Sequence, residues 1–267
     1  MTSSQETFQV SVEQAEAYES MFVPALFGDW AEPLVEAAGV RPGHRVLDVA
    51  CGTGVVARAA ADRVDRQGSV VGVDINDGML EVARRLRPQL EWRRADAADL
   101  PFADDSFDVV LCQAALMFFP DRVAALREIA RVTTAGGTVG LHVWAGLPAQ
   151  AGYGPLTEIA ARHAGPEAVN LLGSYWVLGD LDFMAQLAAA AGLRVHEART
   201  RTGTARFASI DHLVETEVKS TPLGERIDDD VYQRIVDDAR DELRPFVTVT
   251  GAVQLPIAGH LITARPA

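Results

Sequence analysis

Four short strand-like runs each end in a side chain that can hold a polar ligand: Asp48 in "RVLDV", Asp74 after "SVVGV", Asp96 after "EWRRA" and Gln113 in "FDVVLCQ". Asp74, 26 residues beyond Asp48, could bind both hydroxyls of a ribose, because one carboxylate accepts two hydrogen bonds. Asp96 could accept from an exocyclic amine while the Ala97 N–H donates to a purine ring nitrogen. Gly52 and Gly54 follow Asp48 closely. Residues without Cβ allow a sharp strand-to-helix turn and let a ligand lie against the backbone. Taken singly, each feature is a turn or a helix cap; together they describe an adenosine-bearing ligand.

Two classes of such ligand compete. Gly52, Gly54 and Ala57 fit G-x-G-x-x-A, the dinucleotide fingerprint. Against it stands Asp48, since a carboxylate four residues before the turn repels a pyrophosphate. A cofactor with an α-amino group and a sulfonium is attracted instead. Charge therefore favours S-adenosylmethionine over a nicotinamide dinucleotide.

The elements that must position these residues alternate from about residue 43 to residue 144. Strands are expected over Val46–Val49, Ser69–Asp74, "QLEWRRAD", Ser106–Gln113 and "GGTVGLHVW". Helices are expected from Thr53, over "GMLEVARRLR", and over "DRVAALREIARVT", the last opened by Asp121 and stopped by Gly136 and Gly137. Strands separated by such helices imply right-handed crossovers and a parallel sheet covered on both faces. Ligands bind such sheets beyond the carboxyl ends of the strands, where strand order reverses. Beyond residue 144 come a Gly/Pro/aromatic stretch (145–180) with a short helix at Leu156–His163, a helix over Leu181–Ala191, a strand "LRVHEARTRTG", a helical insert over 209–244 and a final strand "FVTVTGAVQLPIAGHLITAR". The insert reads as a lid or a homodimer surface. The first forty residues read as a helical cap with Tyr18, Phe22, Phe27 and Trp30 as anchors.

"VLDVACGTG" resembles motif I of the class I S-adenosylmethionine-dependent methyltransferases, and "VVGVDINDGML" their second motif. "RRADAADLPFADDSFDVVLC" and "FFPDRVAALREIARVTTAGGTVGL" are similar to the small-molecule group related to ubiquinone and menaquinone biosynthesis enzymes. The resemblance covers about residues 40–144. It implies an α/β, Rossmann-like fold: a seven-stranded sheet of order 3-2-1-4-5-7-6, strand seven antiparallel, with helices on both faces. The domain would run from 41 to 267 behind the 1–40 cap, with lids at about 145–180 and 208–244. Carried over by position, Asp48, Ala50, Gly52 and Gly54 hold the methionine end, Asp74 the ribose, and Ile75 and Met79 the adenine face. Asp96 and Ala97 lie at the adenine edge, and Gln113 under the methionine part. Tyr18 and Phe22 are candidates for the aromatic that closes over the cofactor.

Methyl transfer asks the protein mainly to align nucleophile and leaving group and to exclude water. A base is needed only for an acceptor that must lose a proton. His142, near the end of the fifth strand, is the first candidate base; the alternative is a core histidine bonded to backbone. His163 is the second. Trp144, Tyr153, Tyr175 and Trp176 read as core or as the lining of a partly apolar acceptor site. No H-x-x-x-H or C-x-x-C spacing supports a metal.

The chain has 267 residues, 48% of them hydrophobic, and a net charge of −13, which argues against a sequence-independent grip on nucleic acid. Cys51 and Cys112 in apolar settings read as buried thiols in a reducing compartment. No signal peptide or membrane span is expected, so the expected location is cytoplasmic. The reading is thus a biosynthetic transferase acting on a small metabolite. The alternatives are a non-transferring binding module or repurposed cyclase of the same fold and, disfavoured by Asp48, a nicotinamide-dependent reductase.

Overall fold

The computed structural model describes residues 10–221 and 223–267. Along the chain run α1 (Val12–Ala17), π-helical turns over Tyr18–Phe27, α2 (Gly28–Ala37), β1 (Arg45–Val49), α3 (Val55–Val64), β2 (Ser69–Asp74), α4 (Asp77–Leu86), β3 (Glu91–Arg94), β4 (Phe107–Gln113), α5 (Arg122–Val132) and β5 (Thr133–Trp144). Then come α6 (Tyr153–Ala164), α7 (Glu167–Gly173), α8 (Leu181–Ala190), β6 (Leu193–Phe207), α9 (Ile210–Val214), α10 (Asp229–Glu242) and β7 (Val253–Pro266). The strands form one seven-stranded mixed sheet of order β3-β2-β1-β4-β5-β7-β6. That is the order implied by the resemblance. β1 pairs in parallel with β2 and β4, and β4 with β5, so chain order reverses between β1 and β4.

The chain separates into two compact units. The first contains residues up to 143, 181–199 and 260–267; the second contains 144–180 and 200–259. In the first, β1 and β4 are the centre of the core: Val46, Leu47, Val110 and Leu111 have no exposed surface. Their apolar runs follow from burial on both faces of a parallel sheet. Helix starts are set by local chemistry. Ser11 and Gln14 form a reciprocal capping box on α1. The Asn76 side chain accepts from the Met79 N–H at 3.2 Å on α4, and Asp121 from the Ala124 N–H at 2.9 Å on α5. At the opposite end of β1, Arg45 grips Asp108 with Nε at 3.1 Å and Nη2 at 2.8 Å, tying β1 to β4.

Some expectations are corrected. Gly136 and Gly137 do not stop α5; they lie inside β5. The helix ends at Val132, where Thr133 begins the strand and its hydroxyl donates to the Ile129 carbonyl at 2.6 Å; β-branched Thr133 and Thr134 favour extended backbone. "FVTVTG" is not strand. The Thr248 N–H donates to the Ala252 carbonyl at 2.8 Å across a reversal through Gly251, whose φ is +85°, and β7 starts only at Val253. The insert at 209–244 is broken: α9 passes into π-helical turns at Glu215–Lys219 before α10 begins. Of the expected 1–40 cap, Val12–Ala37 is helical and belongs to the first unit, and residues 1–9 lie outside the described residues.

In the second unit, Gln150 pins the start of the Gly/Pro stretch. Its amide donates to the Ala145 and Ala258 carbonyls at 2.8 and 2.9 Å and accepts from the Ala258 N–H at 3.0 Å. Trp176 is the hub of an aromatic cluster, with ring centroids 5.0 Å from Tyr153, 6.2 Å from Tyr175 and 6.3 Å from Trp144. Into it the π-helical turn inserts Glu217, 8% exposed, whose Oε1 accepts from the Tyr153 hydroxyl at 3.4 Å. Burial pushes the Glu217 carboxyl up to about 7, with the Tyr153 hydrogen bond opposing.

The Trp92 indole fills the space a side chain would need at Gly72: a Cβ there would lie 2.4 Å from the ring. Gly72→Ala is expected to lower stability by about 1–3 kcal/mol in denaturant melts, the cost of overpacking. Gly136→Ala, where a Cβ meets nothing within 4 Å, should stay within about 0.5 kcal/mol of wild type. For Glu217, the unfolded carboxyl loses its proton near 4.5 and the folded one near 7. Unfolding therefore releases a proton between those values, and stability falls as pH rises through that window, by on the order of 3 kcal/mol. Stability measured against pH should lose that fall in Glu217→Gln; parallel profiles would contradict it.

Candidate functional site

The site begins at the turn from β1 into α3. Ala50, Gly52 and Gly54 all have positive φ, at +55°, +54° and +87°. At the end of the neighbouring β4, Ala114 has φ +49°. Left-handed alanines are strained, and such residues cluster at functional positions; here they flank the point where strand order reverses. One N–H of this turn and one of the helix that follows it are taken by the two strand-end carboxylates. Asp48 accepts from the Ala57 N–H in the first turn of α3 at 2.9 Å. Asp74 accepts from the Gly52 N–H at 2.8 Å and from the Asn76 N–H at 2.9 Å.

Asp48 is 1% exposed, and desolvation pushes its carboxyl up to about 8, with the Ala57 N–H opposing and the Asp74 charge adding to the rise. At neutral pH it therefore does not carry the full negative charge on which the sequence reading relied. Half-buried Asp74 is also raised by desolvation, while the Asn76 and Gly52 N–H groups hold it back. Its two backbone bonds leave further lone pairs for a diol.

The two glycines differ. A Cβ at Gly54 would strike Trp92 at 2.3 Å, so the missing side chain there serves packing. A Cβ at Gly52 would meet only the Tyr18 ring, at 3.8 Å, so this backbone stays open to a flat or slender group. Tyr18 stacks on Phe22 and Phe27 at centroid distances of 5.9 and 5.4 Å, which brings both N-terminal aromatic candidates to the turn.

Beyond Asp74, a cavity of about 360 Å³ is lined by Ile75, Arg94, Ala95, Asp96, Asp99 and Pro101. Asp96 accepts from the Ala98 N–H at 2.9 Å, which fixes the loop around Ala97. Met79 lies in the first turn of α4, four positions after Ile75. The loop after Asp96 is held by Arg131, whose Nη2 donates to the Leu100 carbonyl at 3.0 Å and to Glu128 at 2.7 Å. At the end of β4, Gln113 donates to the Phe27 carbonyl at 3.0 Å, while its Oε1 is buried without a hydrogen-bond partner. A buried acceptor left open is what an N–H-bearing ligand would satisfy. The open backbone at Gly52, the spare acceptor capacity of Asp74 and this orphaned oxygen fit the expected cofactor.

His142 pairs in register with Gln113 across β4 and β5. It is 1% exposed, and its ring stacks on Trp30 with centroids 4.4 Å apart. His163 lies in the second unit, its Nε2 2.7 Å from Asp238. Cys51 and Cys112 are both free and buried, and burial raises both thiols. Among the described residues no helix is long and apolar enough to cross a membrane, and no group of His, Cys, Asp and Glu has the makings of a metal site.

Sequence reasoning missed Trp92, Arg94, Glu19 and Arg58. Trp92 had a signal, an aromatic in a charged strand facing two glycines; the Glu19–Arg58 pair, 39 residues apart, had none.

Residues 47–141 match the family model for a methyltransferase domain. The chain is 40% identical, over 154 residues, to the demethylmenaquinone methyltransferase of Beutenbergia cavernae, a match covering 54% of this chain and 62% of that one. It thus spans less than two thirds of that relative's length. Its fold is similar to the YcgJ protein of Bacillus subtilis, with a TM-score of 0.61, 23% identity and coverage of 90% and 100% of the two chains. It is also similar to the [4+2]-cyclase SpnF, with a TM-score of 0.56, 18% identity and coverage of 90% and 81%. The segment that matches the methyltransferase-domain model is thus the one that carries the glycine turn, the three strand-end aspartates and Gln113.

Proposed function

We propose that the chain transfers a methyl group from S-adenosylmethionine to a small, partly apolar metabolite. The observation that carries this reading is the 360 Å³ cavity directly after Asp74, the residue that also accepts from the N–H of the open Gly52 turn. On this reading Asp74 binds the ribose, Ile75 and Met79 the adenine face, and Asp96 and Ala97 the adenine edge. Asp48, Ala50, Gly52, Gly54 and Gln113 serve the methionine end, with Tyr18 and Phe22 as cover. The cofactor supplies a methyl group already activated on a sulfonium.

The chain's own residues then have to orient and exclude water. A ligand ammonium near Asp48 and Gln113 favours the ionised carboxylate and fills the orphaned Oε1. This offsets burial costs that the ligand-free protein carries. A dinucleotide pyrophosphate would offset neither.

The Beutenbergia relative, a demethylmenaquinone methyltransferase, suggests a quinone-like acceptor. In the second unit, a groove of about 540 Å³ lined by Leu147, Pro148, Val169, Trp176 and Val177 among others suits an acceptor with apolar surface. A location in the cytoplasm and a homodimer belong to the same reading. His142 acts as base only for an acceptor that must lose a proton, such as a phenol of pKa near 10. Likeness to a cyclase keeps a second reading in view, a chain that uses this fold without transferring methyl.

Thermal shift and calorimetry test the cofactor. S-adenosylhomocysteine should stabilise the protein and NADH should not. Asp74→Ala should weaken binding by roughly 1–3 kcal/mol, the scale of charged hydrogen bonds left unmade. Unchanged affinity would remove Asp74 from the ribose. Release of S-adenosylhomocysteine on incubation with S-adenosylmethionine and reduced naphthoquinones tests transfer; binding with no turnover across such acceptors would favour the second reading. If His142 is the base, His142→Asn lowers kcat on acceptors that must lose a proton and leaves S-adenosylhomocysteine affinity unchanged.

A further inference from the structure

We propose that Glu19 is a positioning residue for the cofactor: it latches the Tyr18–Phe27 segment onto the glycine turn and so sets how fast the cofactor exchanges. The inference rests on the cofactor reading above. Glu19 Oε2 accepts from the Thr53 hydroxyl at 2.5 Å, and Oε1 pairs with Arg58 Nη2 at 2.8 Å. Arg58 Nη1 donates to the Thr53 carbonyl at 2.6 Å. Three residues thus close a ring of bonds: one from the N-terminal segment, one from between the two glycines of the turn, and one from the first turns of α3.

What this ring positions is Tyr18, the residue before Glu19. The Tyr18 ring lies over Gly52 and is backed by Phe22 and Phe27. The far end of the segment is held separately, where Gln113 donates to the Phe27 carbonyl. The segment is therefore a strap tied at both ends across the one stretch of turn backbone that is open to a ligand. It is also wound as π-helical turns with Pro24 inside. Proline supplies no N–H, and π-helical turns are rare and concentrate at functional sites.

The exposure of the latch decides what it can do. The side chains of Glu19 and Arg58 are 22% and 20% exposed. A fully buried ion pair would hold the strap permanently, and a fully exposed one would hold it hardly at all. A pair with one edge in water is strong enough to close the strap yet open to competition from solvent. A ligand against Gly52 lies beneath Tyr18, so it enters and leaves when the latch is broken. Loss of the latch then speeds both entry and escape. A residue that merely shaped the start of α3 would, on removal, damage the turn and slow entry.

The test is surface plasmon resonance with S-adenosylhomocysteine on wild type, Glu19→Gln, Arg58→Gln and the double variant. Amide hydrogen exchange over residues 11–27 of the ligand-free proteins accompanies it. Each single variant should release the ligand about tenfold faster, the scale of one charge-assisted hydrogen bond, with association no slower than wild type. The double variant should release it no faster than either single, because both remove one interaction. Exchange over 11–27 should rise in Glu19→Gln without ligand. Unchanged release, or slower association, overturns the latch, as does unchanged exchange. Failure of wild type to bind S-adenosylhomocysteine, with exchange raised as expected, overturns the cofactor reading instead.

Discussion

The chain must leave β1 and enter α3 within a few residues, and three of them, Ala50, Gly52 and Gly54, have positive φ in doing so. Such a turn leaves N–H groups pointing inward that need acceptors. The acceptors are two carboxylates at the ends of adjacent parallel strands: Asp74 takes the Gly52 N–H and Asp48 the Ala57 N–H. Register makes this unavoidable once the sheet forms, since β1 and β2 pair residue for residue from Arg45–Ser69 to Val49–Val73. The turn, the helix start and the acidic lining of the site are therefore one construction.

That construction has an electrostatic consequence. Two carboxyls are drawn into a poorly hydrated corner: burial lifts Asp48 to about 8 and lifts Asp74 as well, with the neighbouring Asp74 charge a further cause at Asp48. A site in this state rewards an approaching cation and penalises an anion. The preference for a cationic cofactor over a pyrophosphate thus survives the loss of a standing charge on Asp48. The orphaned Gln113 oxygen points the same way, because only a donor satisfies it.

Much of this was legible because it is local. Strand runs, the glycine turn, and the caps of Asn76 and Asp121 are set by neighbours within a few positions, and sheet order came with the motif resemblance. What was not legible depends on chain segments meeting from afar. Gly54 looked like space for a ligand, yet the space belongs to Trp92 from β3. Gly136 and Gly137 looked like a helix stop, yet they lie inside β5, in the irregular stretch between Thr133 and Thr138, which pair with Phe107 and Val109 of β4. Glu217 sits in a helical insert with nothing local to mark it as the buried acid of an aromatic cluster; only its meeting with Tyr153, 64 positions away, does so.

The central claim is that the Gly52 turn, framed by Asp74 and Gln113, is the seat of the methyl donor. A crystal structure of the chain with S-adenosylhomocysteine addresses it most directly. The account predicts ribose oxygens on the Asp74 carboxylate, a ligand nitrogen on Gln113 Oε1 and the adenine among Ile75, Ala95 and Asp96. Ligand density elsewhere on the chain, with the Gly52 backbone bare and Gln113 Oε1 still without a donor, would contradict it.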